Sequence, residues 1–423
     1  MKGAEAIAES LRSCADRFYT VPGYPVTDIA SGVSAELVIN EKVALEYSLG
    51  DSLAGRRAAV IIKNVGLNVC ADPLVNATTQ GVRAGVVIIA GDDILARGSQ
   101  NTEDSRYYGE IAQVPVLEPD GETYAAAVEE AFEVSERFSR VAILRVTPPL
   151  LEEDVPTRTC MRRSGTGKLA DRNLTMQGRA QAADRVTAAM FAWSRASPLN
   201  RITGGVVGVG AAAGYSHAVT VYPPPADVAT LAATSELGRP FVREHRCIQP
   251  PAYDGWPETY ASRGHYRTFC HDCPFRALML MLSDRKMEVI CDMGCAVLAM
   301  NPPYRIGTAC YALGSSVAVA VRSTKVALTG DYALLHSGIN ALIDVYEKQL
   351  PLFCIVLKND RMGMTGGQRV YDLKKYLAWA KPVVCRADDE SLLNNELAVT
   401  DTPRTLVVEG TCPEGCHHET VEC

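Results

Sequence analysis

Asp331 closes one buried apolar run and Asn359 closes the next, and each offers a hard oxygen, a carboxylate in one case and an amide in the other. Two such oxygens converging at a helix N-terminus suit Mg²⁺ carrying a diphosphate. The other reactive set is sulfur. The chain has 14 cysteines, and no secretory signal precedes them. That usage argues for reduced thiols and for metal or iron–sulfur ligation, not for a disulfide framework. Cys270-His271-Asp272-Cys273-Pro274, Cys295 in CDMGCAVL and Cys412 after TLVVEG are the positions to follow.

The elements that must position these groups are legible from periodicity. In the stretch Lys325 to Gln368, KVALT reads as a short buried strand and FCIVL as a second. Between them, Ala333 to Lys348 reads as a helix with Leu335, Ile339, Leu342, Ile343 and Tyr346 on one face. Strand, helix, strand is a βαβ unit, so the sheet is parallel. Gly330-Asp331 and Lys358-Asn359 then lie at its carboxyl edge, where open α/β folds bind ligands.

The first 150 or so residues alternate in the same way. Ala4 to Arg17 reads as a helix, FYTVPGYPVTDI as a strand and turn, and ELVINEKVALEYSLGDSLAG as a strand running into a helix. AAVIIKNVG reads as a strand ending in a loop; VRAGVVIIAGDD and RVAILRVTPP are further strands. Their apolar runs carry little polar alternation, as expected of a parallel sheet covered on both faces. The expected fold is α/β, with two doubly wound parallel-sheet domains over 1–155 and 251–423. Residues 156–250 would supply a linker and a small, shortened middle domain. The linker TRTCMRRSGTGKLADRN is basic and aperiodic; a diphosphate or CoA contact by Arg162 and Arg163 has no support beyond their charge. Gly208, Gly210 and Gly214 make only a loose dinucleotide fingerprint, without the acidic residue it needs.

Composition bounds the remainder. A chain of 423 residues has length for roughly two or three domains. A net charge of −7 gives no footprint for nucleic acid. No apolar run reaches membrane-spanning length, and Met1 to Phe18 is an amphipathic helix pattern, not a signal peptide, so a cytoplasmic location is expected.

GD and KND alone would leave Asp331 and Asn359 as turn caps in a generic βαβ unit. GDYALLHSGI and NDRMGMTGGQ are more specific. Together they resemble the thiamine-diphosphate segments of the 2-oxoacid:ferredoxin oxidoreductases, nearest to the indolepyruvate ferredoxin oxidoreductase large subunit. INEKVALEYSLGDSLAGRRAAVIIKNVGLNVCADPL and SQNTEDSRYYGEIAQVPVLEPD resemble that subunit's pyrimidine-binding domain, and CHDCP and CDMGC its cluster-binding segments. The resemblance covers most of residues 20–150 and 265–412. Departures are Tyr332 in place of a small residue, Asn64 in place of a histidine, and the short loop GYPVTDI.

The resemblance implies a thiamine-diphosphate-binding fold, with the cofactor across an interface between pyrimidine and diphosphate domains and a homodimeric core. Asp331, Asn359 and the backbone carbonyl of Arg361 would hold Mg²⁺, with Gly330, Tyr332, Ser337, Met364 and Thr365 around the cofactor. Glu41, opening a helix after a strand, would protonate N1′ of the aminopyrimidine; the bland alternative is a first-turn carboxylate favoured by the helix dipole. Glu46 is its lower-ranked competitor, and His336 a secondary candidate for proton transfer. Cys270, Cys273, Cys295 and Cys412 would bind a 4Fe–4S cluster, with Cys416 the alternative fourth ligand. The implied function is the catalytic subunit of a 2-oxoacid (arylpyruvate-like) ferredoxin oxidoreductase performing oxidative decarboxylation, with CoA as co-substrate. A separate small subunit is expected, and a ferredoxin-type electron carrier, since the family's ferredoxin-like domain is not in this sequence. Three other readings stay open: Zn²⁺ on Cys412, Cys416, His417, His418 and Cys423; a non-oxidative thiamine-diphosphate-dependent 2-oxoacid decarboxylase; and a degenerate thiamine-fold scaffold or metal-binding protein.

Overall fold

The computed structural model describes residues 1–93, 97–99, 103–163, 165–199, 221–222, 255–413 and 418–423. Most of the expected middle domain lies outside these residues, as do Gly208, Gly210, Gly214, Cys416 and His417. The chain forms two compact units: Met1–Ala170 with Met176–Pro257, and Asp171–Thr175 with Glu258–Cys423. Among the described residues no helix is long and apolar enough to cross a membrane.

The first unit contains β1 (Arg17–Thr20), β2 (Glu36–Leu37), β3 (Ala58–Lys63), β4 (Val86–Gly91), β5 (Val116–Leu117), β6 (Ala142–Val146) and β7 (Val221–Tyr222). Their order is β2-β1-β3-β4-β6-β5-β7, and only β7 pairs antiparallel. The central strands are apolar because both faces are covered: Val60, Ile61, Ile88, Ile89, Ile143 and Leu144 are fully buried. On one face Ile7 and Leu11 of the helix Gly3–Cys14 and Val128 and Phe132 of the helix Tyr124–Phe138 share a core with Ile61, Ile89 and Leu144.

One local expectation is corrected here. The loop expected after AAVIIK is a helix, Asn64–Gln80, starting directly at the strand end. Asn64, Gly66 and Asn68 read as loop formers, yet Leu67, Cys70, Leu74 and Ala77 recur at helical spacing and all four are buried. The described residues of the basic linker form no helix or strand, as its lack of period predicts, and are tied to the first unit by hydrogen bonds. Arg57 donates to the Arg163 carbonyl at 2.6 Å, and Gly167 N–H to the Arg83 carbonyl at 2.7 Å. Arg162 pairs with both carboxylate oxygens of Asp16, at 2.6 and 2.8 Å, and holds that carboxyl below the usual range. Its guanidinium is therefore spent within the fold.

The second unit contains β8 (His265–Arg267), β9 (Val289–Cys291), β10 (Gly307–Ala309), β11 (Val326–Gly330), β12 (Leu352–Lys358), β13 (Val383–Arg386), β14 (Pro403–Glu409) and β15 (Thr420–Glu422). Six of these form a fully parallel sheet, β10-β9-β11-β12-β14-β13. The other two, β8 and β15, make a small antiparallel ribbon.

The helix after β11 is not regular. Asp331–Ala333 starts it, Leu334–Gly338 runs as a π-helical turn, and Ile339–Glu347 resumes α. Such bulges gather at functional sites, where the extra residue re-aims the first turn. Gly314 supports this one from outside. Its φ is +85°, and a Cβ there would stand 2.3 Å from Ser337 Oγ and 2.5 Å from Gly338 N. Gly314→Ala should therefore lower stability by more than about 1 kcal/mol, from backbone strain and the clash together. Thermal unfolding of the full chain tests this; an unchanged midpoint would mean the π turn does not need that approach.

Candidate active site

Four neighbouring strands, β9, β11, β12 and β14, deliver side chains to one edge of the second sheet. β9 ends at Cys291 and leads through Asp292 to Cys295; β11 ends at Gly330 before Asp331; β12 ends at Lys358 before Asn359; β14 ends at Glu409, three residues before Cys412. Parallel neighbours must share a carboxyl edge, so these groups converge although they are far apart in sequence. A cavity of about 470 Å³ lies there, lined by Cys270, Cys273, Cys295 and Cys412 together with Gly330, Asp331, Tyr332, Asn359, Arg361, Met364 and Thr365. Its walls also include Phe269, Phe275, Met293, Leu313 and Met362.

Asp331 is 2% exposed. One carboxylate oxygen accepts from Asn359 N–H at 3.2 Å and Asp360 N–H at 2.8 Å, and the other from Tyr332 N–H at 2.8 Å. Burial pushes its carboxyl up from the usual range, opposed by those N–H groups and reinforced by the nearby Asp360. A buried carboxylate stabilised by amides and facing a second acid is suited to a divalent cation, which would supply the missing positive charge. Asn359 uses both ends of its amide: Oδ1 accepts from Arg361 N–H at 3.2 Å, and Nδ2 donates to Cys412 Sγ at 2.9 Å. The loop that follows closes on itself through Met362 N–H to the Gln368 carbonyl (2.9 Å) and Gly367 N–H to the Met362 carbonyl (3.1 Å). Gly366 and Gly367 have φ of +115° and +73°, which is why the turn reads TGGQ.

Four thiols share this cavity wall. Cys273 N–H donates to the Cys270 carbonyl at 3.1 Å, forming the turn of the C-x-x-C pair. Burial, with Cys412 and Cys270 close by, pushes the Cys273 thiol up to about 12. Cys270 is buried and Cys273, Cys295 and Cys412 are half-buried. Among the described residues no three His, Cys, Asp or Glu side chains are close enough to chelate a single ion. Of the tail residues named in the zinc reading, Cys416 and His417 lie outside the described residues; His418 Nε2 lies 3.5 Å from Cys295 Sγ, and Cys423 is exposed after β15.

Two expected residues do not line the cavity. Ser337 Oγ donates to the Leu313 carbonyl at 2.6 Å, and His336 is exposed beside it, its ring 6.1 Å from that of Tyr332. Asp292, which sequence reasoning passed over, is fully buried and accepts from Gly314 N–H (2.6 Å), Ser315 N–H (3.1 Å), Ser316 Oγ (2.7 Å) and Thr329 Oγ1 (2.7 Å). It fixes the loop that carries Gly314. Its signal was available: like Asp331, it is an acid directly after a buried strand.

In the first unit, Glu41 opens the helix Glu41–Leu53, capped by the Asn40 side chain accepting from Val43 N–H at 2.9 Å. Glu41 is half-buried, and its side chain lies against Gly66, where a Cβ would stand 2.8 Å from Cγ and 3.1 Å from Oε1. Glu46 is buried and forms an ion pair with Lys42 one turn back, so its charge is already matched.

Residues 284–384 match the family described as thiamine pyrophosphate enzyme, C-terminal TPP binding domain. The indolepyruvate oxidoreductase subunit IorA of Methanothermobacter thermautotrophicus is 26% identical over 449 aligned residues, covering 82% of this chain and 73% of that one. The IorA subunit of Archaeoglobus fulgidus is 39% identical over 164 residues, 34% of this chain and 25% of that one. Among solved structures, the thiamine diphosphate-dependent 4-hydroxybenzoylformate decarboxylase of Rhodococcus jostii superimposes with a TM-score of 0.58 at 15% identity, covering 98% of this chain and 100% of that one. A likeness at that identity speaks for the fold alone. The chain is thus an IorA-like protein of the thiamine-diphosphate-dependent enzymes, built on their α/β fold.

Proposed function

We propose that this chain is the catalytic subunit of a 2-oxoacid oxidoreductase acting on an arylpyruvate-like substrate, with its first unit as pyrimidine-binding domain and its second as diphosphate-binding domain. The observation that carries the reading is the one cavity shared by Asp331, Asn359 and four cysteines at the sheet's carboxyl edge. The printed name of the relatives, indolepyruvate oxidoreductase, supports the substrate class, and their description as subunits supports a separate small subunit. The homodimeric core, CoA as acyl acceptor and a ferredoxin-type protein as electron acceptor belong to the same proposal.

Bound thiamine diphosphate would supply a nucleophilic carbon and an electron sink for loss of CO₂, and a 4Fe–4S cluster a one-electron acceptor. This chain's residues do the rest. Asp331, Asn359 and the Arg361 carbonyl hold Mg²⁺ on the diphosphate, and Gly330, Tyr332, Met364 and Thr365 line its berth. Cys270, Cys273, Cys295 and Cys412 hold the cluster. Asn359 touches both sets, because the amide whose oxygen serves the metal also donates its N–H to Cys412. Phe269, Phe275, Met293 and Met362 give the cysteine set an apolar surround. Glu41 shares a proton with the aminopyrimidine, and His336 moves protons at the rim.

Anaerobically purified protein should contain about four irons per chain, as one such cluster requires. It should consume an arylpyruvate only when an electron acceptor is supplied. Cys270→Ser, Cys273→Ser, Cys295→Ser and Cys412→Ser should each lower the iron content, and Cys416→Ser should not. Turnover of a 2-oxo acid by protein holding no metal but Mg²⁺, with an aldehyde as product, would replace this reading with the non-oxidative decarboxylase.

A further inference from the structure

We propose that His418 is a positioning residue of the cysteine site: its ring N–H holds the Cys295 sulfur, and that hydrogen bond sets how readily a cluster bound there accepts an electron. The inference rests on the cluster reading given above. His418 Nε2 lies 3.5 Å from Cys295 Sγ, and both residues line the cavity that holds Cys270, Cys273 and Cys412. The direction of the bond follows from chemistry. A thiolate bound to iron carries no proton and can only accept, so the ring nitrogen facing it must be the donor.

The placement of His418 is built into the fold. The next residue, Glu419, accepts from Thr268 N–H through its carbonyl at 2.9 Å and pairs through its carboxylate with Arg276 Nη1 at 2.9 Å. Thr420, Val421 and Glu422 then pair with Arg267, Tyr266 and His265, and Cys423 N–H reaches the Gly264 carbonyl at 3.1 Å. Thr268 and Arg276 flank the Cys270–Cys273 turn, so the ribbon ties His418 to the segment that carries those thiols. Elsewhere in the cysteine set, Asn359 Nδ2 donates to Cys412 at 2.9 Å. Cys295 and Cys412 thus each face a side-chain nitrogen donor.

An N–H group on a cluster sulfur draws off negative charge and stabilises the reduced, more negative state, which raises the midpoint potential. Losing it should shift the potential down while leaving the irons in place. The experiment is an EPR-monitored redox titration of the anaerobic holoenzyme, with iron and acid-labile sulfide measured on the same samples. His418→Ala should keep the wild-type iron content and titrate at a lower potential. His418→Gln, whose amide can still donate, should recover part of the shift, and it guards against a folding defect in the alanine protein. An unchanged potential in both variants overturns the inference. Loss of iron in both overturns it as well, by making His418 a ligand. Wild-type protein that assembles no cluster would overturn the reading beneath it, a failure visible before any variant is made.

Discussion

Asp331→Ala should cut the affinity for thiamine diphosphate and Mg²⁺ by at least about 100-fold, since even residues behind a metal ligand typically cost 10–100-fold when lost. The carboxylate sits where strand β11 meets a helix N-terminus, almost wholly buried, and burial raises its pKa, with the nearby Asp360 adding to the rise and backbone N–H groups opposing it. It also organises the far side of the berth by accepting the N–H groups of Asn359 and Asp360. Alanine removes the carboxylate proposed to bind the metal and leaves those amides without their acceptor, a further cost of about 1–3 kcal/mol in stability. Asp331→Asn separates the two effects, for it keeps an oxygen for the amides but loses the charge. Isothermal titration of apo protein with cofactor and Mg²⁺ measures both variants. Wild-type affinity in the asparagine protein would remove Asp331 from the metal site; weak binding with an unchanged unfolding midpoint would place its role in binding alone.

How much of this site was readable in advance depends on where each residue sits. Asp331, Asn359, Cys295 and Cys412 were legible because each follows a buried apolar run, and parallel strands force their carboxyl ends together. Cys270 and Cys273 were legible as a spaced pair, although no sequence rule said that their turn would dock against the end of β14. The structure shows how it does: a Cβ on Gly410 would stand 2.7 Å from the Pro274 ring. His418 was not legible as a neighbour of Cys295. Its position follows from the β15–β8 pairing, a long-range contact between two very short strands whose composition carries no period. The π turn was hidden for a different reason. Leu335, Ile339, Leu342 and Tyr346 keep a convincing helical spacing, and the extra residue at Leu334–Gly338 lies where Gly314 packs closely against the turn, a tertiary contact that periodicity does not carry. The same logic explains Ser337, which a motif places beside the cofactor but whose hydroxyl is engaged with the Leu313 carbonyl.

Glu41→Gln should retain bound cofactor yet slow exchange of the cofactor's C2 proton by about 100-fold or more, the usual scale for removing a general acid–base group. An amide of the same shape can still hydrogen-bond but cannot share a proton with N1′ of the aminopyrimidine. The structure favours Glu41 over Glu46 on two grounds. Glu46 is buried and ion-paired with Lys42, so using it would break a matched pair inside the core. Among the described residues the Glu41 carboxylate has no hydrogen-bond partner within the chain; it is half-buried at the first position of its helix, with its backbone carbonyl accepting from Cys70 Sγ at 3.2 Å. Gly66 gives a second, independent handle. Because a Cβ there would press on Glu41 Cγ at 2.8 Å, Gly66→Ala should displace the carboxylate without altering its chemistry and slow the same exchange. NMR of the C2 proton in deuterated buffer follows both variants, and cofactor titration confirms that each still binds. Wild-type exchange in Glu41→Gln would take the acid's role away from Glu41, and wild-type exchange in Gly66→Ala alone would show that the carboxylate reaches N1′ from a different rotamer than the one packed on Gly66.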